Sequence, residues 1–171
     1  MPAAERTSTR PARRAGRSTR FLPWLTRRFI GLPAARKLLV TEAVLGLALA
    51  RLALFFVPFR VLAARFGAVT PGSAPPEPPA VLTPEQKETA SAVGWAVTRA
   101  AQYVPFRAVC LPQAIAAKAM LSRRAVPSVM RFGVAKKADE PLAAHAWLDS
   151  GGIEVTGYPV AQDFIEVARF L

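Results

Sequence analysis

One cysteine and one histidine stand out in this chain, because each is the only residue of its type among 171. Cys110 lies in the run Cys-Leu-Pro-Gln-Ala, and His145 follows later in the run Ala-His-Ala-Trp-Leu. A thiolate and an imidazole are the two groups that cysteine-dependent acyl chemistry requires: the sulfur attacks a carbonyl carbon and the imidazole moves the proton. The pair therefore predicts an enzyme that works through an acyl-cysteine intermediate.

Pro112 determines where Cys110 lies within its helix. Proline is tolerated in the first turn of an α-helix but breaks later turns, because it lacks the N–H that those turns require. The sequence therefore predicts a helix that begins at or just after the cysteine. Unpaired amides and a partial positive charge at that end of a helix stabilise a thiolate. The Cys110 amide could also stabilise an oxyanion, and Gln102 is a candidate for a second donor beside it.

His145 is predicted to lie on a β-strand. After Pro127 the apolar residues recur with a period of two, which is typical of strands. We predict three strands, over residues 129–135, 142–149 and 153–156. A serine and two glycines form a tight turn between the last two. The predicted fold class is therefore α+β, with the Cys-bearing helix packed on an antiparallel sheet.

A third group is expected to hold the imidazole in one tautomer. Alternation along the strand places His145, Trp147 and Asp149 on one face of the sheet. On the neighbouring strand, Glu154 and Thr156 are two residues apart and are predicted to share a face. Either side chain could accept the second N–H of the imidazole.

The segments before the cysteine are predicted to be largely helical. Thr83, Pro84 and Gln86 form a capping box with proline at the first helical position, which predicts a helix that ends near Gln102. An earlier long helix is predicted to break at Pro58. Its residues 43–59 are apolar except for a central arginine, whose insertion into a bilayer would cost about 3 kcal/mol. We therefore predict a helix covered by the core or by a partner, in preference to a membrane span.

Composition divides the chain into four segments. Residues 1–20 are rich in Arg, Ser, Thr, Ala and Pro, and are predicted to form a disordered basic tail. Residues 21–69 are predicted to be a helical extension. Residues 70–82 contain five prolines and are predicted to be a semi-extended linker. Residues 83–171 are predicted to be the core that carries the Cys/His pair.

The composition also excludes several classes of function. The net charge is +12, but ten of the cations lie in the first 37 residues. The sequence shows no folded basic face with interleaved aromatic residues, which is the pattern that indicates nucleic-acid binding. One cysteine cannot form an internal disulfide, which fits a cytoplasmic protein. One cysteine and one histidine also fall short of a usual zinc ligand set. We therefore predict no metal, no cofactor and no nucleic-acid partner.

Several of these motifs together resemble a known family. They are Val104-Pro105-Phe106, Cys110-Leu111-Pro112-Gln113-Ala114, Ala144-His145-Ala146-Trp147-Leu148 and Gly151-Gly152. The chain resembles the transglutaminase-like (papain-like) B proteins of lasso-peptide biosynthesis, specifically their stand-alone protease half. The resemblance covers roughly residues 38–157, since the helical region ending in Pro58-Phe59-Arg60 is also similar to the N-terminal extension of that family.

The resemblance implies a leader peptidase. Such an enzyme removes the leader from a ribosomally made precursor peptide and passes the core peptide to an ATP-dependent lasso cyclase. A separate small leader-recognition protein presents the precursor in split systems, and this chain has no obvious room for that recognition domain. Cys110 then matches the nucleophile and His145 the general base. The family has an acid on the strand after the histidine. In this chain Thr156 falls near the position expected for that acid, so we choose Glu154, two residues earlier, with Asp163 as the alternative.

Two other functions stay open at this point. The same Cys/His pair could transfer the acyl group to an amine instead of water, as a transglutaminase does. Alternatively, the protein could be a non-enzymatic scaffold that contacts a membrane surface through its basic tail and its apolar helix.

Overall fold

The computed structural model describes residues 31–75, 78–136 and 141–171. The predicted disordered tail lies outside these ranges. The described chain forms four helices: α1 (Ala34–Phe56), α2 (Phe59–Ala63), α3 (Pro84–Ala101) and α4 (Cys110–Ser122). It also forms five strands: β1 (Val69–Pro71), β2 (Val129–Ala135), β3 (Ala143–Ser150), β4 (Ile153–Thr156) and β5 (Ile165–Phe170).

The helices begin and end where the sequence chemistry predicts. α1 stops at Phe56, two residues before Pro58, because proline could not continue its hydrogen-bond ladder. α3 begins at the predicted capping box, in which the Thr83 hydroxyl accepts from the Gln86 amide at 3.3 Å and the Gln86 side chain accepts from the Thr83 amide at 3.0 Å. Both predictions are confirmed.

The strands form one antiparallel sheet in the order β1-β5-β2-β3-β4. The α+β prediction is confirmed, and the three predicted strands correspond to β2, β3 and β4. Two strands were not predicted. β5 lies in a segment whose pattern fits a strand and a short helix equally well. β1 lies at the start of the segment that we predicted as unpacked linker, and Pro71 is tolerated there because an edge strand has one side without a ladder.

The apolar core lies between one face of the sheet and the helices α1, α3 and α4. On the sheet side it contains residues of alternate positions, among them Met130, Ala146 and Leu148. On α1 it contains Val40, Ala43, Leu47 and Ala50.

By length and composition, α1 is the one helix in the described ranges that could cross a bilayer. Its inner face nevertheless packs on α3 and α4. The approach to α4 is close, since a Cβ added at Gly46 would lie 3.3 Å from the Cβ of Ala116. α1 is therefore part of the folded core, with its opposite face uncovered.

Candidate active site

Cys110 is the first residue of α4, as predicted from the position of Pro112. Its residue is partly buried, and Pro112 lies buried in the first turn. The N-cap residue, Val109, provides no side-chain cap, so the first amides of the helix are not satisfied by a capping oxygen. The Gln113 side chain donates to the Ala108 carbonyl at 2.7 Å and fixes the segment that enters the helix. Cys110 therefore lies at an uncapped helix N-terminus, where backbone amides can stabilise an oxyanion.

His145 is the third residue of β3 and is half-buried. Its Nε2 atom lies 2.6 Å from the main-chain oxygen of Gly157. A carbonyl oxygen can only accept a hydrogen bond, so Nε2 must carry the proton. The neutral imidazole then has its lone pair on Nδ1, which is the atom available to accept a proton.

Two aromatic rings contact the imidazole. The Trp147 ring is stacked on it with a centroid separation of 6.0 Å, and the Phe164 ring lies at 5.3 Å. Phe164 belongs to the segment between β4 and β5, and Gly157 begins that segment. The imidazole orientation is therefore set by β3 and by the chain that follows β4.

Gly157 is a functional position that the sequence reasoning missed. Its φ is +83°, and a Cβ added there would lie 2.5 Å from the Ala146 carbonyl oxygen, so only glycine fits. Glycine directly after a strand signals a turn, but no residue pattern indicates that its carbonyl is the partner of a histidine.

The C-terminal part of α4 lies at the end of the sheet away from His145. The helix leads through a short connection into β2, and Lys118 near its C-terminal end donates to the carbonyls of Ser128 and Phe170 at 3.0 and 3.4 Å. Both carbonyls lie at the end of the sheet opposite the pair formed by Gly133 and His145. In the described ranges, no hydrogen bond joins the Cys110 sulfur to the imidazole.

The prediction that His145, Trp147 and Asp149 share one face of β3 is confirmed, and this face is the one opposite the helices. Ala146 and Leu148 belong to the core, so His145, Trp147 and Asp149 lie on the opposite face. The ladder between β3 and β4 reaches only from Ser150 to Leu148, so the beginning of β3 has an unpaired edge on that side. Gly157 lies beside this edge, close to the Ala146 carbonyl oxygen and the Trp147 backbone.

The candidates for the third site residue are separated by an irregularity in the sheet. Glu154 pairs with Asp149 whereas Thr156 pairs with Leu148, because the register shifts between Leu148 and Asp149. Our prediction that Glu154 and Thr156 share a face is therefore wrong, since one extra residue on β4 reverses the alternation. Glu154 is exposed, and Thr156 is buried with a hydroxyl that has no partner in the described ranges.

The atom that the structure places against Nε2 is the main-chain oxygen of Gly157. Glu154 lies opposite Asp149, four residues or about 13 Å along β3 from His145. Asp163 is exposed in the segment that also carries Phe164. Gln102, the candidate oxyanion donor, is exposed at the C-cap of α3.

A network of ion pairs covers the same face of the sheet beyond the imidazole, and the sequence reasoning missed it. Arg131 donates to Asp149 at 2.7 Å and to Glu166 at 3.1 Å, and Arg169 donates to Glu166 at 2.6 Å. Burial, followed by the negative charge of Asp149, raises the pKa of Tyr158 to about 12. The residue after Gly157 is therefore an uncharged phenol at neutral pH, close to these charges.

The described ranges contain no group of three or more His, Cys, Asp or Glu side chains that could hold a metal ion. The chemistry available from the described side chains is thus that of a thiol at a helix N-terminus and an imidazole with a defined tautomer.

Comparison with known proteins supports this description. A model of the transglutaminase-like superfamily matches residues 53–169, which include all of α3, α4, β2, β3 and β4. No curated protein and no solved structure matches the chain significantly. Enzymes of this superfamily commonly use a cysteine, and they include peptidases and acyltransferases. Because the match covers well over half of its length, the chain belongs to the transglutaminase-like superfamily.

Proposed function

We propose that the protein is a cysteine peptidase that removes the leader from a ribosomally synthesised lasso-peptide precursor. The observation that carries the proposal is the placement of Cys110 at the uncapped N-terminus of α4, in a superfamily whose enzymes commonly use a cysteine. The lasso-peptide assignment is supported by the motifs around Cys110 and His145 noted above.

In the proposed reaction, the Cys110 sulfur attacks the carbonyl carbon at the end of the leader. As the sulfur attacks, Nδ1 of His145 takes the thiol proton, and the developing oxyanion faces the Cys110 amide. The C–N bond then breaks, and Nδ1 passes the same proton to the departing amine of the core peptide. Water then attacks the acyl-cysteine, gives its proton to Nδ1 of His145, and releases the leader with a free carboxylate. The sulfur regains its proton from the imidazole, so the enzyme returns to its starting state.

The scissile bond would bind at the unpaired edge of β3. This edge lies next to Gly157, whose main-chain oxygen is bound to Nε2 of His145. Catalytic hydrogen bonds often form only in the substrate complex, so the lack of a direct bond between Cys110 and His145 is consistent with this role.

The proposal includes three partners. A precursor peptide is the substrate, a small leader-recognition protein presents it, and an ATP-dependent lasso cyclase consumes the released core peptide. We assign presentation of the leader to the separate protein, as the resemblance implies for split systems.

The test is reconstitution with a lasso precursor peptide and its leader-recognition protein, followed by mass spectrometry. Cys110→Ala should abolish leader release, whereas Ser122→Ala, an exposed change at the other end of the same helix, should leave it unchanged. Leader release by the Cys110→Ala variant would overturn the proposal.

The same experiment separates hydrolysis from acyl transfer, which the superfamily also includes. Hydrolysis adds the mass of water across the cut, whereas transfer leaves the added amine attached to the leader. Attachment of an amine as the main product would replace the peptidase with the acyltransferase.

A further inference from the structure

The outward face of α1 carries a line of large apolar side chains, interrupted by Thr41 and Glu42 between Leu38 and Leu45, which we call the outer stripe. It consists of Leu38, Leu45, Leu49, Leu52, Phe55 and Phe56. These residues recur at helical spacing along one face, over about 27 Å of helix. Each is more than half exposed, from 52% for Leu52 to 79% for Phe55.

The outer stripe is not needed to hold the fold together. The opposite face of α1 supplies the residues that pack on α3 and α4, and these are fully or nearly fully buried. Isolated apolar side chains on a surface need no explanation, but six aligned along one helix mark an interaction site.

The charges near the outer stripe define what it can bind. Residues 31–66 contain five cations, which are Arg36, Lys37, Arg51, Arg60 and Arg65, and one anion, which is Glu42. The Arg36 guanidinium lies over the Trp95 ring of α3 at 5.1 Å, which leaves four cations for this surface. Glu42 is already bound by Arg123 and Arg124 at 2.7 and 2.5 Å, so it does not offset the others. With +12 overall, two copies of the chain would repel each other, whereas a negatively charged surface would attract this face.

Hydrogen bonding distinguishes a lipid surface from a protein partner. A specific protein interface carries about one hydrogen bond per 100–200 Å². The outer stripe itself offers no polar side chain, and the nearby Thr41 hydroxyl already donates to the Lys37 carbonyl at 2.9 Å. A bilayer needs no such bonds, because leucine and phenylalanine enter the boundary between headgroups and acyl chains.

We propose that α1 docks along its length on an anionic lipid bilayer, with the outer stripe at the acyl-chain boundary and Lys37, Arg51, Arg60 and Arg65 among the headgroups. The helix remains packed on α3 and α4 by its inner face, so it lies on the membrane and does not cross it. This proposal is independent of the peptidase reaction.

The test is co-sedimentation of the full chain with vesicles of phosphatidylcholine plus phosphatidylglycerol, and with vesicles of phosphatidylcholine alone. We expect binding to the anionic vesicles that weakens as salt is raised, and weaker binding to the neutral ones. The triple variant Leu45→Gln, Leu49→Gln and Leu52→Gln should lower the partition coefficient at least about tenfold. The matched control, Val69→Gln with Val81→Gln, changes two exposed valines elsewhere and should bind as the native chain does.

A second variant, Phe55→Ser with Phe56→Ser, keeps the test valid if the triple variant loses its helical circular dichroism. Equal binding by a folded stripe variant and the native chain would overturn the proposal, as would absence of binding to anionic vesicles. A stable dimer, or a complex with a protein partner, would also overturn the proposal if the stripe substitutions abolished it, since the stripe would then be a protein interface.

Discussion

The Nε2 atom of His145 is hydrogen-bonded to the main-chain oxygen of Gly157 at 2.6 Å. The N–H of the neutral imidazole thus has a main-chain oxygen as its partner, where many enzymes use a carboxylate side chain. The tautomer of the candidate base depends on the backbone path after β4, and a third acidic side chain is not needed to define it.

This relationship predicts the protonation of the ring. Nitrogen-15 NMR of the neutral histidine should show the proton on Nε2, because the Gly157 oxygen can only accept. Gly157→Ala should disturb both the fold and the ring, since the new Cβ would lie 2.5 Å from the Ala146 oxygen at a φ of +83°. A proton found on Nδ1 in the native protein would contradict the assignment.

The rate of leader release by single variants tests which carboxylate contributes to catalysis. Glu154→Gln should retain activity within about threefold, because Glu154 lies opposite Asp149 and about 13 Å from His145 along β3. His145→Gln should lower the rate by at least about a thousandfold, as expected for loss of a general base. A large loss with Glu154→Gln would restore Glu154 as the third residue, and Asp163→Asn provides the comparison for the alternative acid.

Thr156→Val should stabilise the protein by about 1 kcal/mol. The Thr156 hydroxyl is buried without a partner in the described ranges, and valine has the same shape without the cost of burying that hydroxyl. Thr98→Val is the matched control, because the Thr98 hydroxyl donates to the Gly94 carbonyl at 2.7 Å and its removal should destabilise α3. The measurement is urea unfolding. Destabilisation by Thr156→Val, or loss of leader release, would indicate that the hydroxyl has a bonding role.

Lys118 should make stability depend on alkaline pH. Burial lowers its pKa below the ordinary value of 10.5. Between the lowered pKa and 10.5 the unfolded chain binds more protons than the folded one, so the free energy of unfolding should rise with pH in that window. Lys118→Met should remove this rise, whereas Lys87→Met, an exposed change on α3, should not. Equal pH slopes for native and Lys118→Met proteins in urea unfolding would contradict the prediction.

Glu42 should contribute to stability above acidic pH. A hydrogen bond from Arg124, with further help from Arg123, lowers the pKa of Glu42 to about 2 from 4.5. The stabilisation should be complete above pH 4.5 and should be lost as pH falls through about 2. Glu42→Gln should lower the free energy of unfolding by about 1 kcal/mol at neutral pH, a small effect because this ion pair is largely exposed. The substitution should also flatten the acid limb of the curve of stability against pH. Glu88→Gln is the control, and a curve for Glu42→Gln parallel to the native one would contradict the prediction.

The helices were predictable because their signals are local. Thr83 and Gln86 satisfy each other within one turn, and Pro58 and Pro112 act on the turns in which they lie. The positions of Cys110 and His145 followed from the same kind of signal, together with the alternation in β3.

What could not be predicted depends on contacts between distant segments. β1 has three residues with largely exposed side chains, so it leaves no apolar pattern, and its pairing comes from backbone bonds to β5. The extra residue in β4 is equally invisible in the side-chain pattern, yet it separates Glu154 from Thr156. The partner of the imidazole is a backbone oxygen, which every residue type possesses.

The order of the strands has a consequence for synthesis on the ribosome. β5 inserts between β1 and β2, although it follows all the other strands along the chain. β2 therefore keeps an open edge, and the Phe66 and Phe132 rings lack the Phe170 ring that they contact, until Phe170 has left the exit tunnel. The nascent chain should remain a substrate for chaperones through that interval, with the outer stripe of α1 already exposed.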